Sequence, residues 1–313
     1  MTITSSNETP VVIPATDVTA EDLVGILTAP NGNANGAAVL SLWGGGGVPA
    51  FGKNQARVRL SRELAARGFH TLRFSYTGVG ESGGLVRDPD IGNEWVDDTV
   101  AALRWLESRG FQRIVVIGLC AGGRAALAAA PQVGALAGLA LVSCPLGDGG
   151  HREGVLDSPL SWYLRRLTSP RSLLLLVRGE KAKRRRAVLR GKLRRVLLGP
   201  RGRAGTPPRR FLPQVEHVLD LGTPVLFLYG LDDDFASQFD RARDDALGRA
   251  IDQRSAQVAV EVVEGRLDGL GSVAVQETFL STVLAWIAAL DIPAGEGEQS
   301  AEDRIRIPTS SLS

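Results

Sequence analysis

Histidine is scarce in this chain: 313 residues carry three, His70, His151 and His217. None of them falls into a Cys, His and carboxylate spacing of the kind that holds a metal, so neither a metal nor a cofactor is expected. Cysteine is scarcer still. Cys120 and Cys144 sit in or just after apolar runs that read as core strands, which excludes a disulfide framework and fits a reducing compartment. No stretch of about 18 apolar residues occurs, so no transmembrane segment is expected. The first ten residues are polar and lack the basic flank and apolar run of a secretory signal, and a cytoplasmic location is expected.

What is present is enough apolar sequence, 44% of residues, to bury one large core. Short apolar runs bounded by turn residues alternate with helical stretches, the rhythm of a mostly parallel sheet covered by helices on both faces. Lead-in strands are expected at 11–13 and 23–27, and sheet strands at 38–43, 70–76, 113–118, 138–143, 225–229 and 258–263. Helices are expected at 55–67, 94–108, 122–130, 237–251 and 273–290. Val96, Val100, Leu103 and Leu106 recur at helical spacing and mark the face of one helix that packs on the sheet. The rhythm fails between Cys144 and Val225, where the connection is far longer than an αβ unit needs. The expected organisation is a lead-in (1–21), a first core part (22–145), a basic helical lid insertion (146–220), a second core part (221–290) and a disordered tail (291–313).

Net charge is +2, unevenly spread. Residues 151–215 hold 18 Lys and Arg against three acids, a segment charge of +15 that leaves the remainder at −13. Such a segment either docks on the acidic body, or is a solvated face, or meets something anionic, such as a CoA or phosphopantetheine arm, an acidic carrier protein or a membrane surface. Nucleic acid is not expected as a partner, because the basic clusters are flanked by Leu, Val and Ala rather than stacking aromatics.

The segment Gly118-Leu119-Cys120-Ala121-Gly122-Gly123 follows an apolar strand and opens an Ala-rich helix. Small residues two before and two after a central nucleophile permit the tight strand-to-helix bend known as a nucleophile elbow. A thiol at that bend sits at a helix N-terminus, where partial positive charge favours the thiolate. Together with the glycine run after Trp43 and the turn Phe74-Ser75-Tyr76-Thr77-Gly78-Val79-Gly80-Glu81-Ser82, this resembles the α/β-hydrolase superfamily over roughly residues 22–290. The cysteine elbow resembles dienelactone hydrolases, and the large insertion resembles serine-aminopeptidase-like members.

The resemblance implies an α/β-hydrolase fold with Cys120 as nucleophile. It places an oxyanion hole at the backbone amides of Gly45 or Gly46 and Ala121, each donor contributing about 3 kcal/mol. Trp43 stands where relatives carry a loop-anchoring histidine. Leu228-Tyr229-Gly230-Leu231-Asp232-Asp233-Asp234 matches the strand end that bears the triad acid, with Asp233 the first choice and Asp232 the second. In the turn after the last strand, Glu264 to Gly271, Asp268 occupies the histidine's place. His151, at the start of the insertion, is the one histidine with a route to the site.

An aspartate is a poor acceptor for a serine proton, but a thiol is several units more acidic than a hydroxyl. One reading is therefore an acyl enzyme, hydrolase or acyltransferase, that takes a thioester or ester through Cys120 and hydrolyses it slowly for want of the imidazole. A second is a non-hydrolytic step such as cyclisation, elimination or epimerisation with Asp268 as proton carrier, and a third is ligand binding alone.

Overall fold

The computed structural model describes residues 7–17, 19–44, 50–85, 95–147 and 210–292. Gly45, Gly46, His151, residues 148–209 of the expected lid and all but the first two residues of the expected tail lie outside them.

Eight strands form one sheet: β1 (Asn7–Ile13), β2 (Leu23–Ala29), β3 (Ala38–Trp43), β4 (His70–Phe74), β5 (Ile114–Leu119), β6 (Gly138–Val142), β7 (Val225–Gly230) and β8 (Val258–Val263). Their order is β1-β2-β4-β3-β5-β6-β7-β8. The first two strands pair antiparallel, and β2 pairs antiparallel with β4, but every pairing from β4 to β8 is parallel. All residues of β3, β5, β6 and β7 are buried. Their largely apolar runs, with Ser41 the polar exception in β3, reflect a sheet covered on both faces, where alternation would leave polar groups in the core.

Seven helices accompany the described sheet: α1 (Ala56–Ala65), α2 (Val96–Ser108), α3 (Ala121–Ala129), α4 (Phe211–Asp220), α5 (Ala236–Arg243), α6 (Ala246–Gln253) and α7 (Val273–Ala289). Helix α3 packs against α2 and α4, while α1 meets α7. On α2, Val100, Leu103 and Leu106 are buried, as the helical spacing predicts. The single helix expected over 237–251 is instead two, α5 and α6, broken at Asp244-Asp245. Short carboxylate side chains compete for helix backbone groups, and Asp245 leaves helical geometry at φ −127°, ψ −135°. Helix α4 buries Phe211, Val215, Val218 and Leu219 in the core.

Parallel strands from β3 to β8 point their carboxyl ends the same way. The turns after β3, β5, β6, β7 and β8 therefore gather at one edge, and that places the site.

Candidate active site

Between β5 and α3 a single residue, Cys120, makes the bend, with φ 54° and ψ −123°. A side chain at positive φ costs about 1–3 kcal/mol, and the neighbouring contacts hold it there. The Cys120 N–H donates to the Val142 carbonyl at 2.8 Å, and the Cys120 carbonyl accepts from Gly123 N–H at 3.0 Å. The bend brings strand and helix so close that a Cβ on Gly118 would lie 2.5 Å from the Gly123 Cα. Strand β3 comes equally near: a Cβ on Gly44 would lie 2.4 Å from the Ala121 nitrogen. The start of the glycine run is thus pressed against the amide that opens α3.

Asp233 and Asp268 occupy the turns after β7 and β8. Asp233 is buried and Asp232 exposed. Four donors converge on the Asp233 carboxylate: Oδ2 accepts from Gly230 N–H at 2.6 Å and from the Ser143 hydroxyl, and Oδ1 from Leu267 N–H at 2.6 Å and Asp268 N–H at 2.9 Å. Burial nevertheless pushes its pKa up to about 6, against the pull of those bonds. The Asp268 carboxylate is held by Arg266, whose Nε donates to Oδ1 and one terminal nitrogen to Oδ2 at 2.6 Å. The same nitrogen reaches Asp234 Oδ2 at 2.6 Å.

Burial, joined by the charges of Asp268, Asp233 and Asp234, pushes the Cys120 thiol up to about 12, outweighing the Ala121 amide that favours thiolate. The thiolate anticipated from the helix N-terminus is therefore not the resting form. One helix end supplies only a partial positive charge, whereas three carboxylates and a dry environment oppose it. Cys144, after β6, is also buried and raised to about 12, by burial first and then in part by the nearby Cys120.

Histidine does not enter this arrangement among the described residues. His70 opens β4 at the sheet's opposite edge, buried against Phe111 with ring centroids 4.9 Å apart. His217 lies in the last turn of α4, on the approach to the amino end of β7. Trp43 ends β3 with its ring edge-on to Phe279, centroids 6.2 Å apart, and its indole N–H is buried without a hydrogen-bond partner among the described residues.

Eight strands in this order, a positive-φ residue at the β5–α3 bend and a buried carboxylate after β7 together decide the kinship, and a sequence model of the alpha/beta hydrolase family matches residues 41–272. The chain belongs to the alpha/beta hydrolase family. The fold of this hydrolase is shared with an esterase of Pyrococcus furiosus, at 15% identity and TM-score 0.59, covering 91% of this chain and 93% of that one. It is shared likewise with a proline iminopeptidase of Mycobacterium smegmatis (19%, TM-score 0.57, 91% and 99%) and carboxyl esterase 2 of the fungus Tuber melanosporum (14%, TM-score 0.57, 92% and 89%). No curated protein sequence matches it.

Within the family frame, Ser143, Asp234 and Arg266 join the site without having been singled out in sequence. Arg266 and Asp234 lie inside turns already assigned to the site, and the alternation Arg266-Leu267-Asp268 was the available signal. Ser143 had none, because its role depends on β6 lying beside β7.

Proposed function

We propose that this chain is an acyl-transfer enzyme in which Cys120 takes an acyl group from a thioester and Asp268 carries the proton. The observation that supports it best is Cys120 at the positive-φ bend, with the Asp268 carboxylate near enough to raise the thiol and no imidazole beside it among the described residues. A neutral thiol with only a carboxylate for a base is poorly matched to water as partner. It is better matched to thioester exchange, because the leaving thiol, of ordinary acidity, departs more readily than the raised Cys120 thiol would. Cys120 Sγ bonds to the carbonyl carbon, its proton passes by way of Asp268 to the departing sulfur, and a free thiol leaves with no net charge created. The oxyanion that forms on the way would be met by the Ala121 N–H and an amide of Gly45 or Gly46.

The acyl-enzyme then needs an acceptor. An amine brings its own lone pair and transfers its proton to the departing Cys120, whereas water depends on a base stronger than an ion-paired aspartate. Transfer to an amine or alcohol is therefore favoured over hydrolysis. The basic segment 151–215 would receive the phosphates of a CoA or carrier-protein arm, in keeping with its charge of +15 against the acidic body, and a cytoplasmic setting supplies both donors.

The resting thiol at about 12 favours a second reading, in which Asp268 moves a proton on a bound ligand and Cys120 forms no covalent bond. Incubating the protein and Cys120→Ala with a short acyl thioester of N-acetylcysteamine, then weighing the intact chains, separates the two. An adduct of one acyl mass on the parent alone is expected. A parent protein that stays unmodified, or a Cys120→Ala variant with undiminished turnover, sinks the nucleophile assignment and leaves the second reading.

A further inference from the structure

Arg57 is buried to 1% exposure near the amino end of α1, and its guanidinium spans the ends of two strands. One terminal nitrogen donates to the Ser41 carbonyl of β3 at 2.5 Å, the other to the Phe74 carbonyl of β4 at 3.2 Å. The guanidinium carbon stands 5.8 Å from the centre of the Trp43 ring. No carboxylate accompanies it among the described residues; the charged or titratable neighbours that act on it are Tyr76 and Arg73. A guanidinium buried without a counter-ion carries a desolvation penalty that a leucine in the same place would not. Its two carbonyl bonds and the Trp43 face are what it supplies in return.

Of these contacts, the Ser41 carbonyl and the Trp43 ring belong to the last three residues of β3 before Gly44. Gly44 donates to the Leu119 carbonyl at 2.9 Å and has its Cα pressed against the Ala121 amide. The chain returning toward α1 is fitted to the same group: a Cβ at Gly52, φ +68°, would lie 3.0 Å from the Arg57 Cγ and 3.0 Å from the Trp43 ring. Asn54 and Gln55, which follow, also hold positive φ of 49° and 58°. Strained backbone of this kind persists only where the surroundings fix it. Trp43 stands where the resemblance puts an anchoring histidine, yet its indole N–H makes no hydrogen bond among the described residues.

We infer that Arg57 is a positioning residue for acyl transfer: it clamps the end of β3 so that Gly44 and the Ala121 amide keep the register in which an oxyanion beside Cys120 is bound. The inference rests on the acyl-transfer reading above. The residue touches no reacting atom, and acts through the Ser41 carbonyl, the Trp43 ring and Gly44.

The test compares two reactions of the same sulfur. Attack on a thioester builds charge on a carbonyl oxygen and needs the clamped amide, whereas alkylation by iodoacetamide builds none there. Both start from the same Cys120 sulfur, so a loss of folding or of access lowers both and leaves their ratio in place. Acylation by an N-acetylcysteamine thioester and alkylation are followed by mass spectrometry at Cys120, mapped apart from Cys144, in the parent, Arg57→Met, Arg57→Lys and Gly52→Ala. The ratio of acylation to alkylation is expected to fall about 10- to 100-fold in Arg57→Met, since displacement of a catalytic group by an ångström costs about that much. Arg57→Lys, with charge but no fork to span two carbonyls, should fall between. Gly52→Ala displaces the clamp with Arg57 intact and should lower the ratio too, which keeps the inference testable if Arg57→Met does not fold. Folded Arg57 or Gly52 variants with an unchanged ratio overturn the positioning role while the parent's acylation leaves the acyl-transfer reading standing. A parent that is alkylated but never acylated overturns that reading and this inference with it.

Discussion

Asp233 accepts a hydrogen bond from the backbone N–H of Asp268 at 2.9 Å. In a serine-type triad the corresponding carboxylate would orient an imidazole side chain, holding its tautomer and steadying its charged form. Here the Asp233 carboxylate, gripped as well by Ser143, Gly230 and Leu267, fixes the backbone of Asp268, the residue that the sequence resemblance puts in the histidine's place. The Asp268 side chain itself is held by Arg266.

Replacing that side chain should therefore restore hydrolysis. In Asp268→His the ring would stand beside the acylated sulfur, and Asp233 is already anchored to the same turn. Release of free acid from an acyl thioester is expected to rise, by up to the roughly 100-fold that a positioned general base supplies. Unchanged hydrolysis in a protein that still acylates would show that the missing imidazole is not what holds water back.

The reactivity of Cys120 should follow pH steeply. With the thiol at about 12, alkylation by iodoacetamide is expected to climb about tenfold per pH unit from 7 to 10 with no plateau. Asp268→Asn removes a negative charge that disfavours the thiolate, so its rate at pH 8 should exceed the parent's several-fold. A plateau below pH 9 in the parent would contradict the assigned environment.

Asp233 gives stability a pH dependence of definite sign. Its folded pKa, about 6, lies above the ordinary 3.8, so the folded chain holds the proton more tightly than the unfolded one. The contribution is fully present below about pH 4 and is lost as pH rises through 6, a difference of about 3 kcal/mol. Urea unfolding of the parent and Asp233→Asn at pH 4 and pH 7 measures it. The parent's advantage should be larger, or its deficit smaller, at pH 4.

Gly118→Ala should be costly wherever the chemistry leads. Its methyl would fall 2.5 Å from the Gly123 Cα, backbone against backbone, and neither strand β5 nor helix α3 can withdraw without opening the elbow. A loss of about 3 kcal/mol in urea unfolding is expected, the upper range for overpacking.

Much of the architecture was legible because it follows from local rules. Largely apolar runs at 38–43, 113–118, 138–143 and 225–229 fit strands covered on both faces, and the small residues around Cys120 mark a bend that larger side chains would block. The Asp244-Asp245 break was missed, since the helical periodicity of that stretch continues across it and only the backbone shows the interruption. Sequence likewise placed Cys120, Asp233 and Asp268 at strand ends, because parallel strands deliver their following turns to one edge.

What sequence could not decide is what those side chains do to one another. The helix terminus at Cys120 is a local feature and argues for thiolate, but burial and three carboxylates from other turns reverse the outcome, and only their positions in space carry that information. The Arg266 fork on Asp268, the Ser143 hydroxyl on Asp233 and the Arg57 clamp on Ser41 and Phe74 join residues whose partners are chosen by packing, not by spacing. The chain's own order determined the fold and the address of the site. The protonation state of Cys120 and the partners of the nearby carboxylates were settled in the tertiary structure, because electrostatic energy depends on distance and on how much water remains.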